Sequence, residues 1–194
     1  QATKGGGHGD YRNIVLAPAS VQEMAALTVK GFDLADKYRM VAMILADGTM
    51  GQMMEPVSLD FEVEAMPEKP WATNGTKMQR KHNIVNSLFL QPDELEKYNF
   101  ERYERYKKIE ETEAMYEEYM MDDAEFAVVL IGSSAGTAKA AARQLRDAGI
   151  KAGVVKVRVF RPFPWEELQA ALSGVKAVAV MDKSEGFSGW GGPL

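Results

Sequence analysis

His8 sits in the run Gly5-Gly6-Gly7-His8-Gly9-Asp10 and is one of two histidines in 194 residues. Core histidines do not usually occupy such flexible surroundings, so a functional and a structural role stand even. A second stretch with chemical potential is Asp47-Gly48-Thr49-Met50-Gly51-Gln52-Met53-Met54, which follows an apolar run. In an open parallel sheet, ligands bind beyond the carboxyl ends of the strands, so the loop from Asp47 to Gln52 is the favoured place for a site. Its three methionines read as core or interface filler against the alternative of a ligand box. A third stretch, Gly132-Ser133-Ser134-Ala135-Gly136-Thr137, leads into a helix whose free amides could hold a phosphate. It lacks both the Gly-Lys-Ser/Thr ending of a nucleotide loop and the Gly-x-Gly-x-x-Gly spacing of a dinucleotide fold, so tight-turn packing is the competing reading. Arg158 and Arg161, in Arg158-Val159-Phe160-Arg161-Pro162-Phe163-Pro164, either form surface ion pairs or meet a phosphate-bearing partner.

Other chemistries are excluded by composition. There is no Gly-x-Ser-x-Gly elbow and no His-Glu-x-x-His, and two histidines without a cysteine assemble neither a zinc site nor a hydrolase. Zero cysteines also rule out a cysteine-ligated iron–sulfur cluster or a disulfide within this chain, so any redox chemistry must be carried elsewhere. No run approaches the length needed to span a bilayer, and a soluble cytoplasmic protein is the expectation.

The elements that must position these stretches are α/β units. Asn13 to Pro18 and Val41 to Gly48 read as short buried strands. Between them Ser20 and Glu23 form a capping box that opens an amphipathic helix through Val21, Met24, Ala25, Thr28, Phe32 and Ala35. A helix between two such strands makes them parallel by a right-handed crossover. A second unit runs Phe126 to Ile131 as strand, then an alanine-rich helix ending at Gly149. Gly153 to Val159 as strand, Pro164 to Leu172 as helix and Val175 to Met181 as strand complete a βαβαβ pattern.

Between the units, residues 58–92 are punctuated by Pro67, Pro70 and Pro92, with Trp71 as the expected anchor and at most a short strand or turn at Asn83 to Leu90. His82, flanked by charges, reads as structural. Asp93 then caps an expected long helix reaching about Met121, with Leu95, Tyr98, Arg102, Tyr106, Ile109, Tyr116 and Met120 along one side. Residues 93–125 hold thirteen carboxylates against five basic side chains, which exceeds the whole chain's net charge of −5. That balance argues against a nucleic-acid binder, whose affinity comes largely from phosphate neutralisation. The chain opens on Gln1 and ends at Leu194 after a glycine-rich turn. Two strands bury too little to stand alone, so the missing strands of the first unit are expected upstream of Gln1, and the chain is expected to be a fragment.

Several of these stretches, in this order, carry a resemblance: Gly-Gly-His-Gly-Asp at 6–10, Ile-Val-Leu-Ala-Pro at 14–18, Leu-Ala-Asp-Gly at 45–48, Gly-Gln-Met-Met-Glu-Pro at 51–56 and Trp-Ala-Thr-Asn-Gly-Thr at 71–76. The chain resembles the alpha subunit of 2-oxoacid:ferredoxin oxidoreductases, in particular the 2-oxoisovalerate type. The closing Val-Met-Asp-Lys-Ser and Gly-Trp-Gly-Gly-Pro-Leu are more similar to the pyruvate type. The resemblance implies a partial pyrimidine-type thiamine-diphosphate domain at 1–57, a linker with a long acidic helix at 58–124, and a transketolase C-terminal-like domain at 125–194. The activity it implies is oxidative decarboxylation of 2-oxoisovalerate or pyruvate to acyl-CoA and CO2, with electrons passed to ferredoxin. Thiamine diphosphate with its magnesium ion would be shared with a beta subunit, iron–sulfur clusters would lie in gamma and ferredoxin-like partner chains, and coenzyme A would be a cosubstrate. His8 and Asp10 are the implied catalytic residues, His8 orienting the bound oxoacid and Asp10 fixing its tautomer. Gly6, in the same matching loop, is an implied cofactor-binding residue, Asp47 and Gln52 are expected as cofactor-binding residues from their place at the strand end, and the activating glutamate and the substrate-binding arginine and threonine would lie upstream of Gln1. Two alternatives stay open: a non-catalytic assembly module, and a transketolase-like thiamine enzyme without redox.

Overall fold

The fold was obtained as a computed structural model, in which residues 12–61, 65, 68–185 and 191–194 are described. Two sheets carry it. In the first, strand β1 (Ile14–Leu16) pairs in parallel with β2 (Ala42–Ile44). Helix α1 (Val21–Tyr38) makes the connection. Its start is the predicted capping box with one refinement: the Ser20 hydroxyl accepts the Glu23 amide at 3.1 Å, while the Glu23 carboxylate reaches back to the Ala19 amide, one residue earlier than the cap, at 2.8 Å. The helix ends where Arg39 enters the left-handed region at φ 50.

The third strand of this sheet comes from the far end of the chain. Strand β6 (Val159–Arg161) pairs antiparallel with β1, on the side away from β2. Alternation divides the core here: Ile14, Leu16 and Val159 face α1, whereas Val15, Ala17 and Phe160 face the second unit, against Ile131, Phe163 and Leu194. Phe160 is completely buried, so the two units share one continuous apolar interior.

The expected long helix is shorter than the sequence pattern indicates. Two helices precede the second sheet: α2 (Gly48–Gln52), where a loop was expected, and α3 (Pro92–Thr112), which begins at Pro92 with Gln91 rather than Asp93 as its cap. Residues beyond α3 turn into strand β3 (Tyr116–Tyr119), antiparallel to β5 (Ala152–Val157). Tertiary contacts override helical propensity at this point. Glu113 is pulled into the interior by the Tyr38 hydroxyl at 2.6 Å and the Lys37 ammonium at 2.7 Å, which stops the helix. Beyond it Tyr116 and Tyr119 pack on opposite faces of the sheet, as strand residues three apart do. Burial pushes the Glu113 carboxyl up, but the two hydrogen bonds outweigh it and hold the group below its usual range. No regular structure forms at Asn83 to Leu90.

The second sheet has the order β3-β5-β4-β7, with β4 (Phe126–Leu130) parallel to both β5 and β7 (Ala177–Met181). Helix α4 (Ser134–Asp147) covers one face through Ala135 and Ala142, and α5 (Trp165–Leu172) covers the other through Leu168. This is the predicted βαβαβ unit with an added antiparallel edge; Pro164 is the cap of α5 rather than its first residue. No helix among the described residues is long and apolar enough to cross a membrane.

Candidate functional site

The carboxyl ends of β2, β4 and β7 converge, and each delivers one polar side chain to the same point. Asp47 follows β2 and caps α2, its Oδ1 accepting the Met50 amide at 2.8 Å. Its Oδ2 accepts the Ser133 hydroxyl and the Lys183 ammonium, both at 2.5 Å, and Lys183 also donates to Ser133 Oγ at 2.5 Å. The Lys183 and Ser133 hydrogen bonds hold the Asp47 carboxyl well below the usual carboxylate range, so it is an anion at any physiological pH.

The backbone is shaped for this meeting. Gly132 turns at φ 71, a left-handed conformation that glycine adopts without strain, and so brings Ser133 toward Asp47. Beside Lys183, Asp182 accepts the Ser184 amide at 3.1 Å and the Leu194 amide at 2.9 Å. Gly192 lies so close to Asp182 that a Cβ there would stand 2.7 Å from the aspartate's Cβ. Residues 191–194 therefore lie against the segment that carries the lysine.

Of the predicted site residues, Gly6, His8 and Asp10 lie outside the described residues. Asp47 is where the strand-end argument puts it, but its acceptor oxygens are engaged by Met50, Ser133 and Lys183. Gln52 ends α2 with its side chain exposed. Met50 is buried filler, whereas Met54 is almost wholly exposed. The Gly132–Thr137 loop spends Ser133 on Asp47. Arg158 makes an ion pair with Glu23 at 3.2 Å, while Arg161 stacks over the Phe160 ring at 4.2 Å. No local sequence pattern pairs Ser133 and Lys183 with Asp47; their shared signal is that each follows the carboxyl end of a strand. Among the described residues no group of three or more acidic, histidine or cysteine side chains could hold a metal ion.

A separate recess of about 320 Å³ is lined by residues 73–78 and 80–83, including Lys77, Arg80, Lys81 and His82. Its frame is tied to the far end of α1 by Arg39 over the Trp71 ring at 4.6 Å and by the Lys69–Asp36 ion pair at 2.5 Å. Trp71 thus serves as the anchor expected of it.

Comparison with known proteins matches residues 3–121 to the thiamine-diphosphate-binding model of pyruvate flavodoxin/ferredoxin oxidoreductases and residues 124–194 to core domain II of pyruvate:ferredoxin oxidoreductase. Subunit VorB of ketoisovalerate oxidoreductase from Methanothermobacter marburgensis is 46% identical over 187 residues, covering 96% of this chain and 53% of that subunit. Subunit KorA of 2-oxoglutarate synthase from Methanocaldococcus jannaschii is 30% identical, covering 89% of this chain and 53% of that one. The chain thus spans about half the length of these relatives. A solved 2-oxoglutarate:ferredoxin oxidoreductase from Magnetococcus marinus, with 2-oxoglutarate, coenzyme A and succinyl-CoA bound, superposes with a TM-score of 0.69 at 22% identity, covering 90% of this chain and 36% of that one. At that identity the likeness shows the fold.

Proposed function

The chain belongs to the pyruvate flavodoxin/ferredoxin oxidoreductase family, and on that premise we propose that it is part of the alpha-type subunit of a 2-oxoacid:ferredoxin oxidoreductase. Its reaction is the oxidative decarboxylation of a 2-oxoacid to acyl-CoA and CO2 with reduction of ferredoxin. The observation that carries the reading is the match along nearly the whole chain to a ketoisovalerate oxidoreductase subunit, and the same match makes 2-oxoisovalerate the first substrate to test, ahead of pyruvate.

Thiamine diphosphate, when bound, supplies the stabilised carbanion that makes loss of CO2 from a 2-oxoacid possible. The described residues fit a share in that site rather than the whole of it: no metal-binding group stands among them, and Asp47 is occupied within the protein. We assign the magnesium ion and the diphosphate to a beta-type subunit and the iron–sulfur clusters to further partner chains; the absence of a metal-binding group among the described residues and of cysteine in these 194 residues is consistent with that division. Asp47 then acts as the anchor of the strand-end loop, and Gln52, exposed at the end of α2, is a polar side chain of that loop open to a bound ligand. His8 orients the oxoacid by hydrogen bonding, Asp10 holds the imidazole in one tautomer, and Gly6 gives the ligand close access to the backbone.

The test is an assay of the full-length chain purified with its partner subunits, following coenzyme A-dependent ferredoxin reduction with 2-oxoisovalerate, pyruvate and 2-oxoglutarate in parallel. Reduction with 2-oxoisovalerate as the preferred substrate is expected; preference for another oxoacid would replace the substrate assignment. No reduction with any of them, with thiamine diphosphate and clusters intact, would defeat the reading. His8→Ala with unchanged turnover would remove His8 from the site.

A further inference from the structure

We propose that Lys183 is a positioning residue: acting through Asp47, it clamps the strand-end loop of the first unit onto the second unit and so sets where that loop meets a bound ligand. The inference rests on the reading above that the loop from Asp47 to Gln52 borders the ligand site.

Two of the three clustered side chains, Ser133 and Lys183, come from the second unit, and only Asp47 comes from the first. Helix α2 spans just Gly48–Gln52, a length at which a helix has no stability of its own, so its place depends on its cap. That cap is the same carboxylate that Lys183 and Ser133 hold. The lysine side chain is 48% exposed, and an isolated pair so placed contributes little. This pair is not isolated. Lys183 touches both other members, Ser133 is aimed by the left-handed turn at Gly132, and the backbone beside Lys183 is pinned through Asp182 to Leu194. Leu194 in turn packs beside Ile131 and Phe163 in the interior shared by the two units. The clamp therefore transmits the placement of the second unit to α2, and through it to Gln52.

The experiment uses the full-length chain in its complex, with variants Lys183→Met, Lys183→Arg, Ser133→Ala and Asp47→Asn. Asparagine keeps the helix cap while removing the charge, which separates the clamp from the cap. Hydrogen exchange over residues 45–54 is expected to quicken in Lys183→Met and Asp47→Asn and to return toward wild type in Lys183→Arg. The KM for the oxoacid is expected to rise about tenfold in Lys183→Met with kcat changed far less, since misplacing a binding loop weakens binding before it alters chemistry. The double variant Lys183→Met/Asp47→Asn should be no worse than the more damaged single variant, because both remove one contact. Unchanged exchange over 45–54 in Lys183→Met overturns the clamp. Quickened exchange with an unchanged KM overturns the positioning role. If the wild-type complex turns over no oxoacid, the functional reading fails on its own, and hydrogen exchange still decides the clamp. Asp47→Asn, which discharges the other end of the same ion pair while keeping the cap, gives the same test should Lys183→Met fold poorly.

Discussion

Glu23, in the first turn of α1, lies 2.8 Å from Lys156, next to last in β5, so a capping-box carboxylate of the first unit neutralises a buried ammonium of the second. Lys156 is 4% exposed. It also meets Glu117, which pairs in turn with Lys139, and Arg158 adds a contact to Glu23. Burial pushes the Glu117 carboxyl up, but its two lysine partners outweigh this and keep it below its usual range. Removing Lys156 takes from Glu23 and Glu117 their most buried partner but leaves Arg158 beside the one and Lys139 beside the other, so the loss is that of charge-assisted hydrogen bonds and not of all compensation. Lys156→Met is therefore expected to destabilise the full-length protein by about 1–3 kcal/mol in urea unfolding. A midpoint equal to wild type would mean that the cluster contributes nothing net.

Gly153, in β5, is a position where no side chain fits. A Cβ there would stand 2.5 Å from Met121 Sδ and 2.9 Å from the Met120 carbonyl oxygen. The sulfur could swing aside, but the carbonyl belongs to the backbone that joins β3 to β4 and cannot move alone. Gly153→Ala is expected to cost about 1–3 kcal/mol by overpacking. A variant as stable as wild type would show that the β3–β4 connection yields freely.

Ser20 tests the capping box that the sequence pattern announces. Ser20→Ala removes the acceptor of the Glu23 amide and is expected to cost about 1 kcal/mol. Glycine at the same position should cost only a few tenths of that, because it relaxes the backbone for solvent. If alanine and glycine were equally mild by urea unfolding, the hydroxyl would have no capping role here.

Local signals carried much of this fold. Ser20 with Glu23 marks a helix start over four residues, and the apolar runs at 14–17 and 126–131 are strands because they are short, continuous and bounded by turns. What escaped depends on partners far along the chain. Tyr116 to Tyr119 continues an acidic helical pattern and becomes a strand because β5 is there to pair with it. Val159 to Arg161 completes the first sheet although it lies more than a hundred residues from β1, and no local pattern encodes such a return. The site divides the same way. Asp47 could be located by the rule that ligands gather beyond strand ends, whereas its pairing with Ser133 and Lys183 depends on the packing of one unit on the other.

Tyr106, on α3, gives the fold an alkaline limit. Burial pushes its hydroxyl up to about 12 from an ordinary 10.0, against the opposing pull of the Arg161 and Arg12 guanidinium groups. Its hydroxyl donates a long hydrogen bond, 3.4 Å, to the Asn13 carbonyl. The sign follows from the proton balance. Between about pH 10 and 12 the unfolded chain has lost this proton while the native protein keeps it, so stability falls as pH rises through that window and is unaffected below it. Across the window the loss is on the order of 2 kcal/mol. Tyr106→Phe should cost less than about 1 kcal/mol near neutrality, since the hydrogen bond it removes is weak. Above pH 10.0 it should lose stability less steeply than wild type, because phenylalanine cannot ionise. Urea unfolding of both proteins across this range, with tyrosinate absorbance followed in parallel, measures the difference directly. Parallel stability curves for the two would show that some other group sets the alkaline limit.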